Sequence, residues 1–224
     1  MTYFEQQRPG RILLLGRDIS VVGKPAASGL AGTADYTTAW GCHTDVELKL
    51  AGDFQRYNAL CALSAVESFL QRPMDSCVVA DVFRTVRLAG RFEVLRDAPL
   101  IVADCAHNEA AALALRPLVD STIRLKGRRV LLCGLTVGRD PQRFLANLGA
   151  DRFDDIVVTE PDTPRAQSCN ATALAAATFG VTVRPEPTIS KALQLATGLA
   201  GTSGVVVVVG SHHLVGPVRE LVRS

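Results

Sequence analysis

"LIVADCAHNEAAALAL", residues 100–115, decides how the rest of the chain is read. An apolar run without polar alternation, ending at Asp104, is the pattern of a strand covered on both faces. Asn108, followed by Glu109 and a run of Ala and Leu, is the pattern of a helix with an N-cap and an acidic first turn. Asp104 and His107 therefore stand at the carboxyl end of a buried strand, where open parallel sheets bind ligands. Two readings follow. In one, Asp104 accepts hydrogen bonds from ribose hydroxyls and His107 holds an anionic substrate. In the other, Asp104 and Asn108 only cap the helix. Spacing leaves both open.

The same alternation continues downstream. "RRVLLCGL" (128–135), "DDIVVTE" (154–160), "VTVRPE" (181–186) and "GVVVVVGS" (204–211) read as further buried strands. Helical stretches separate them. "DPQRFLANLG" has Asp140 as N-cap, Pro141 at the first helical position and Gly149 as the stop. "SCNATALAAATFG" ends on Gly180, and "ISKALQLATGLAG" follows. Pro117 is expected to kink or shorten the helix after Asn108. Strand and helix alternate about five times, which predicts an α/β, Rossmann-like, mostly parallel sheet over residues 91–224. Polar residues recur at the predicted strand ends: Asp104 and His107, Thr136, Thr159 and Glu160, then Ser211, His212 and His213.

Residues 1–90 follow another pattern. "RILLLG", "ISVVG" and "DVELKLAG" read as strands of a meander, and "DFQRYNALCALSAVESFLQ" and "DSCVVADVFRTV" as helices. That is a thin core by itself, so this part is expected to need more chain or a partner. The change of pattern predicts two units with a hinge between about Leu88 and Glu93.

Composition excludes several classes. With 48% hydrophobic and 21% charged residues and a net charge of +2, the 224-residue chain has no case for nucleic acid or a membrane surface as partner. No apolar stretch approaches a membrane span, and the N-terminus does not read as a signal peptide. The six cysteines include no Cys-x-x-Cys pair, which predicts free thiols in a reducing cytoplasm and no zinc site. His212 and His213 have no third ligand nearby in sequence, and His43 reads as a loop residue.

Five segments, in order, resemble the folylpolyglutamate synthase and dihydrofolate synthase branch of the Mur ligase superfamily. They are "RYNALCALSAVE" (56–67), "AGRFEV" (89–94), "PLIVADCAHN" (99–108), "TEPDTPRA" (159–166) and "GSHHLVGPVREL" (210–221). The resemblance implies a Mur ligase C-terminal domain over 91–224, preceded in 1–90 by a remnant of the central ATPase domain. It also implies a reaction: ATP phosphorylates a folate or dihydropteroate-type carboxylate, and the amino group of glutamate attacks the acyl phosphate. By the same resemblance Asn58 touches adenine, Arg91 reaches the ATP phosphates, Asp104 holds the ribose, and His107 and Ser211 seat glutamate. On that reading Asp104→Ala impairs ATP use with little loss of stability.

The chain also departs from the family pattern. "GRDISVVGKPAASG" (16–29) is no phosphate loop, because Pro25 follows Lys24 where Ser or Thr is needed, and Lys24 reads as a surface lysine. The Mg²⁺ ligands expected in the complete ligase have no counterpart, no catalytic residue is assigned, and the chain alone is expected to be inactive. Cys105 stands in place of a glycine, Glu109 in place of a proline, and Arg139 in place of a lysine. His212 and His213 replace a residue and a tyrosine after Ser211. A peptidoglycan-type Mur ligase and a non-catalytic partner module with the same fold are the alternatives. The terminal Gly-Ser segment favours the folate branch.

Overall fold

A computed structural model describes residues 12–23, 32–124 and 127–223. The chain forms two compact units, 1–87 and 88–224, so the break falls three residues before the expected boundary.

The first unit is built on an antiparallel sheet of β1 (Ser20–Gly23), β2 (Thr33–Thr37) and β3 (Cys42–Glu47), in that order. Two helices follow, α1 (Asp53–Leu70) and α2 (Ser76–Thr85). Asp75 caps α2 by accepting the N–H groups of Cys77 and Val78. Ile19, Tyr36, Val46, Leu60, Leu63 and Val79 form the core, with the Phe83 ring edge-on to Tyr36 at 5.2 Å.

Three expectations change here. "RILLLG" is not a strand: among its described residues, Leu15 makes one bridge to Ile19 across a turn at Gly16–Asp18. The third strand starts and ends earlier than "DVELKLAG" suggested. It includes His43, which is buried rather than in a loop. Its ring bonds Glu67 and Ser76, each at 3.0 Å, and Glu67 also accepts the Thr38 hydroxyl and the Met74 N–H. Burial pushes the Glu67 carboxyl up, but those hydrogen bonds outweigh it and hold the group below its usual range. Lys24 lies outside the described residues.

The second unit is a six-stranded sheet in the order β4-β5-β9-β6-β7-β8. Its strands are β4 (Glu93–Asp97), β5 (Leu100–Asp104), β6 (Arg129–Cys133), β7 (Asp155–Val158), β8 (Thr182–Pro185) and β9 (Val205–Val209). β4 runs antiparallel to β5, and every other pairing is parallel. β9 is central, which is why all five of its valines are buried.

Five helices cover the sheet: α3 (Glu109–Ile123), α4 (Pro141–Leu148), α5 (Cys169–Ala176), α6 (Ile189–Ala200) and α7 (His212–Arg223). Side chains alternate along each strand. Ile101, Ala103, Val130, Leu132, Val206 and Val208 meet α6 and α7 on one face. The other parity faces a layer in which α4 packs between α3 and α5. Asn108, Asp140 and Ser168 cap α3, α4 and α5 through their side chains, and Gly149 ends α4 at φ 85°. α3 runs through Pro117 to Ile123, so the proline does not shorten it.

Candidate functional site

Strand register fixes the site. Asp104, Val209 and Cys133 pair at one level, so the loops after β5, β9 and β6 leave side by side at one carboxyl edge. This puts Asp104, His107 and Ser211 on the same edge. The loops after β6 and β9 are pressed together. Gly210 has φ 119°, and a Cβ there would overlap the Gly134 carbonyl. A Cβ on Gly134 would sit 2.9 Å from the Thr159 carbonyl oxygen, so the loop after β7 closes in as well. That loop is stitched to the one after β6 by hydrogen bonds from Val137 to Arg165 and from Gln167 to Leu135, each 2.9 Å.

These loops enclose a cleft of about 190 Å³. His107, His212 and His213, Arg139 and Arg165, and the hydroxyl residues Thr136, Thr163 and Ser211 line it. Among the described residues no acidic side chain lines the cleft. His107 Nδ1 lies 3.0 Å from the Cys105 carbonyl, which can only accept, so that nitrogen carries the proton and Nε2 is left to a ligand. The His107 and His212 rings lie 5.9 Å apart, tilted by 51°. The Ser211 Oγ accepts the His213 N–H at 3.1 Å and keeps its own proton to donate. A wider groove of about 680 Å³ adjoins through Thr163, but Glu160 and Asp162 and four prolines line it, which suits no anion.

Arg91 is held by a tied turn beside this edge. Gly90 (φ 64°) and Phe92 (φ 48°) flank it in left-handed conformations. Cys105 donates its N–H to the Gly90 carbonyl at 2.9 Å, and Phe92 donates to Asp104 Oδ2 at 2.8 Å. Glu93 accepts the Gly90 N–H at 2.9 Å and Arg219 Nε of α7 at 2.7 Å. The Arg91 side chain is exposed, and its charge is felt at Asp104, Cys105 and His212.

Asp104 has a role that neither reading of its spacing gave it. It does not cap α3; Asn108 alone does, accepting the Ala111 N–H at 2.8 Å. Asp104 is buried, and its other oxygen accepts the Ala106 N–H at 2.7 Å. It therefore fastens the Arg91 turn to the His107 loop. Burial raises its pKa, against the two N–H groups and Arg91, which favour the carboxylate. The expectation that Asp104 can be lost at little cost in stability does not fit this geometry. Asn58 belongs to the other unit, exposed on α1, with its amide donating to Gln55 at 3.0 Å. Cys105 is buried against Gly90, and its thiol is pushed up to about 11, chiefly by burial and then by Asp104.

Sequence reading gave no role to Arg165, Thr163 or Glu93, although the quoted motifs contain all three. Among the described residues no group of three or more His, Cys, Asp or Glu is arranged to hold a metal ion, and no helix is long and apolar enough to cross a membrane.

Residues 90–212 match the family described as Mur ligase, glutamate ligase domain. The dihydrofolate synthase/folylpolyglutamate synthase of Mycobacterium tuberculosis is 37% identical over 167 residues, 71% of this chain and 34% of that protein. A UDP-N-acetylmuramyl-tripeptide synthetase of a Roseiflexus species is 32% identical over 136 residues, 58% of this chain and 25% of that protein. The solved Mycobacterium tuberculosis folylpolyglutamate synthase complexed with ADP superposes with a TM-score of 0.82 at 30% identity, covering 94% of this chain and 49% of that one. The chain thus spans about half the length of that solved relative.

Proposed function

Since the chain belongs to the Mur ligase family through its glutamate ligase domain, we propose that residues 88–224 seat glutamate and part of ATP for a folate-type amide ligase. One observation carries this reading. At the carboxyl edge of the sheet opens a cleft lined by two arginines and three imidazoles and, among the described residues, by no acid; all of its lining but His213 lies inside the matched segment. A small molecule bearing carboxylates fits that charge and that volume.

Each residue then has a task. Arg139 and Arg165 fork onto carboxylate oxygens, as planar guanidinium groups do. His107 Nε2 accepts from the incoming ammonium group, and the Ser211 hydroxyl donates to a carboxylate. Arg91, exposed on its turn, neutralises phosphate oxygens. Asp104 keeps one lone pair on each oxygen for a ribose hydroxyl, while its main work is holding the Arg91 turn. ATP supplies the phosphoryl group that activates the acceptor carboxylate. The chain's own residues bind and orient. Binding preorganised in this way is what lets an amine reach an activated carbonyl before water does.

The test is a titration of the full chain with L-glutamate followed by backbone amide NMR. Shifts are expected at residues 107, 136, 165 and 211–213, and Arg139→Ala with Arg165→Ala should abolish them. Absence of shifts at millimolar glutamate, or shifts confined to residues outside the cleft, would refute the assignment.

A further inference from the structure

We propose that His212 is a specificity-determining residue of this cleft: neutral while the cleft is empty, it takes up a proton when a ligand with two carboxylates is seated, and so favours that ligand over an isostere with one. The proposal rests on the cleft being the glutamate site and adds how the site chooses.

The geometry carries it. His212 is the first residue of α7, where the helix dipole presents positive charge. Cationic or protonatable groups converge on it from several elements. Arg91 from the turn before β4, His107 from the loop after β5 and the adjacent His213 act on its charge, and Arg139 from the loop after β6 and Arg165 from the loop after β7 line the same cleft. Among the described residues no acidic side chain lines the cleft to offset them; the nearest acid by hydrogen bonding is Asp162, whose N–H donates to the His213 carbonyl at 3.1 Å. Asp104 is buried and tied to two backbone N–H groups, and Asp162 lines the neighbouring groove. A proton on His212 in the empty cleft would join this crowd with no counter-charge. His212 is exposed, yet its titration is held below the usual imidazole range, by the partial desolvation of its ring first and then by Arg91, His107 and His213.

A second carboxylate in the cleft reverses the balance. It supplies the missing negative charge, and the protonated ring becomes the favoured form. Binding is then coupled to proton uptake, so affinity is greatest at low pH. It weakens as pH rises through the His212 titration of the bound state. A ligand with one carboxylate, spent on an arginine, leaves His212 as it was. The ratio of affinities for L-glutamate and L-glutamine should therefore fall as pH rises through the free and bound His212 midpoints, by about tenfold in all for a midpoint raised by about one unit.

The experiment follows the ring Cε1–H signals of the four histidines of the full chain through pH, alone, with saturating L-glutamate and with L-glutamine. His212→Gln assigns the signal. The His212 midpoint should rise by about one unit with glutamate and stay in place with glutamine. In His212→Gln the glutamate-to-glutamine affinity ratio should no longer depend on pH. If glutamate shifts cleft signals but the His212 midpoint is unmoved, or glutamine moves it equally, this inference fails and the glutamate site stands. If glutamate shifts no cleft signal, both fall.

Discussion

Replacing Asp104 tests whether the site's scaffold has been read correctly. Its carboxylate accepts the buried N–H groups of Phe92 and Ala106 at 2.8 and 2.7 Å. Asp104→Ala strands both donors at a position that is only 5% exposed. Each stranded buried donor costs about 1–3 kcal/mol, so the pair costs roughly 3 kcal/mol after partial relaxation. For a unit of this size that is a fall in melting temperature of about 10 °C. Asp104→Asn separates this account from a ligand role. The amide keeps the shape but offers one acceptor, and its NH₂ opposes the second N–H. It should therefore destabilise nearly as much as alanine. Asn108→Ala, which removes only the α3 cap, should cost about 1 kcal/mol. Differential scanning calorimetry of the three variants decides. If both Asp104 variants melt within about 2 °C of the parent, the two hydrogen bonds do not hold the turn and the positioning of Arg91 is unexplained.

Two shorter expectations accompany this one. Gly210→Ala should cost more than about 3 kcal/mol, since it combines φ 119° with a Cβ overlapping the Gly134 carbonyl; a melting curve superposing on the parent's would contradict the packing of the two loops. The chain alone should release no ADP in response to glutamate, because Lys24 is followed by Pro25 rather than by a hydroxyl residue; release that scales with protein and disappears on denaturation would overturn that.

Local chemistry made much of the second unit legible. Asn108, Asp140, Pro141, Gly149 and Gly180 sit where capping and stop rules place them, and the five-valine run is the central strand. Features set by distant partners were not legible. Glu93 meets Arg219, 126 residues away, and nothing near either residue announces the pair. β4 was missed because it is an edge strand with Val94 half exposed, so its pattern is not that of a covered strand. β2, "TADYT", is polar on its open face and resembles a turn. His43 sits in "WGCHTD", a loop-like stretch, and only its Glu67 and Ser76 partners explain its burial.

The location of the anion cleft follows from how the second unit uses its charges. Its carboxylates are largely committed to structure. Asp104 holds two backbone N–H groups, Glu93 holds Arg219 and Arg223, Asp154 holds Arg129, and Asp155 holds Arg128 and Arg184. Asp120 pairs with Arg152 and Asp140 caps α4. The groups that line the cleft are all basic or neutral. A net charge of only +2 therefore conceals a concentrated positive field at one edge of one sheet. Such a field needs no reorganisation when a carboxylate arrives, because backbone hydrogen bonds and buried acids already hold the loops that carry it. Sequence composition averages this away. Strand register restores it, by bringing the ends of β5, β9 and β6 to one level and leaving the cations there without acids of their own.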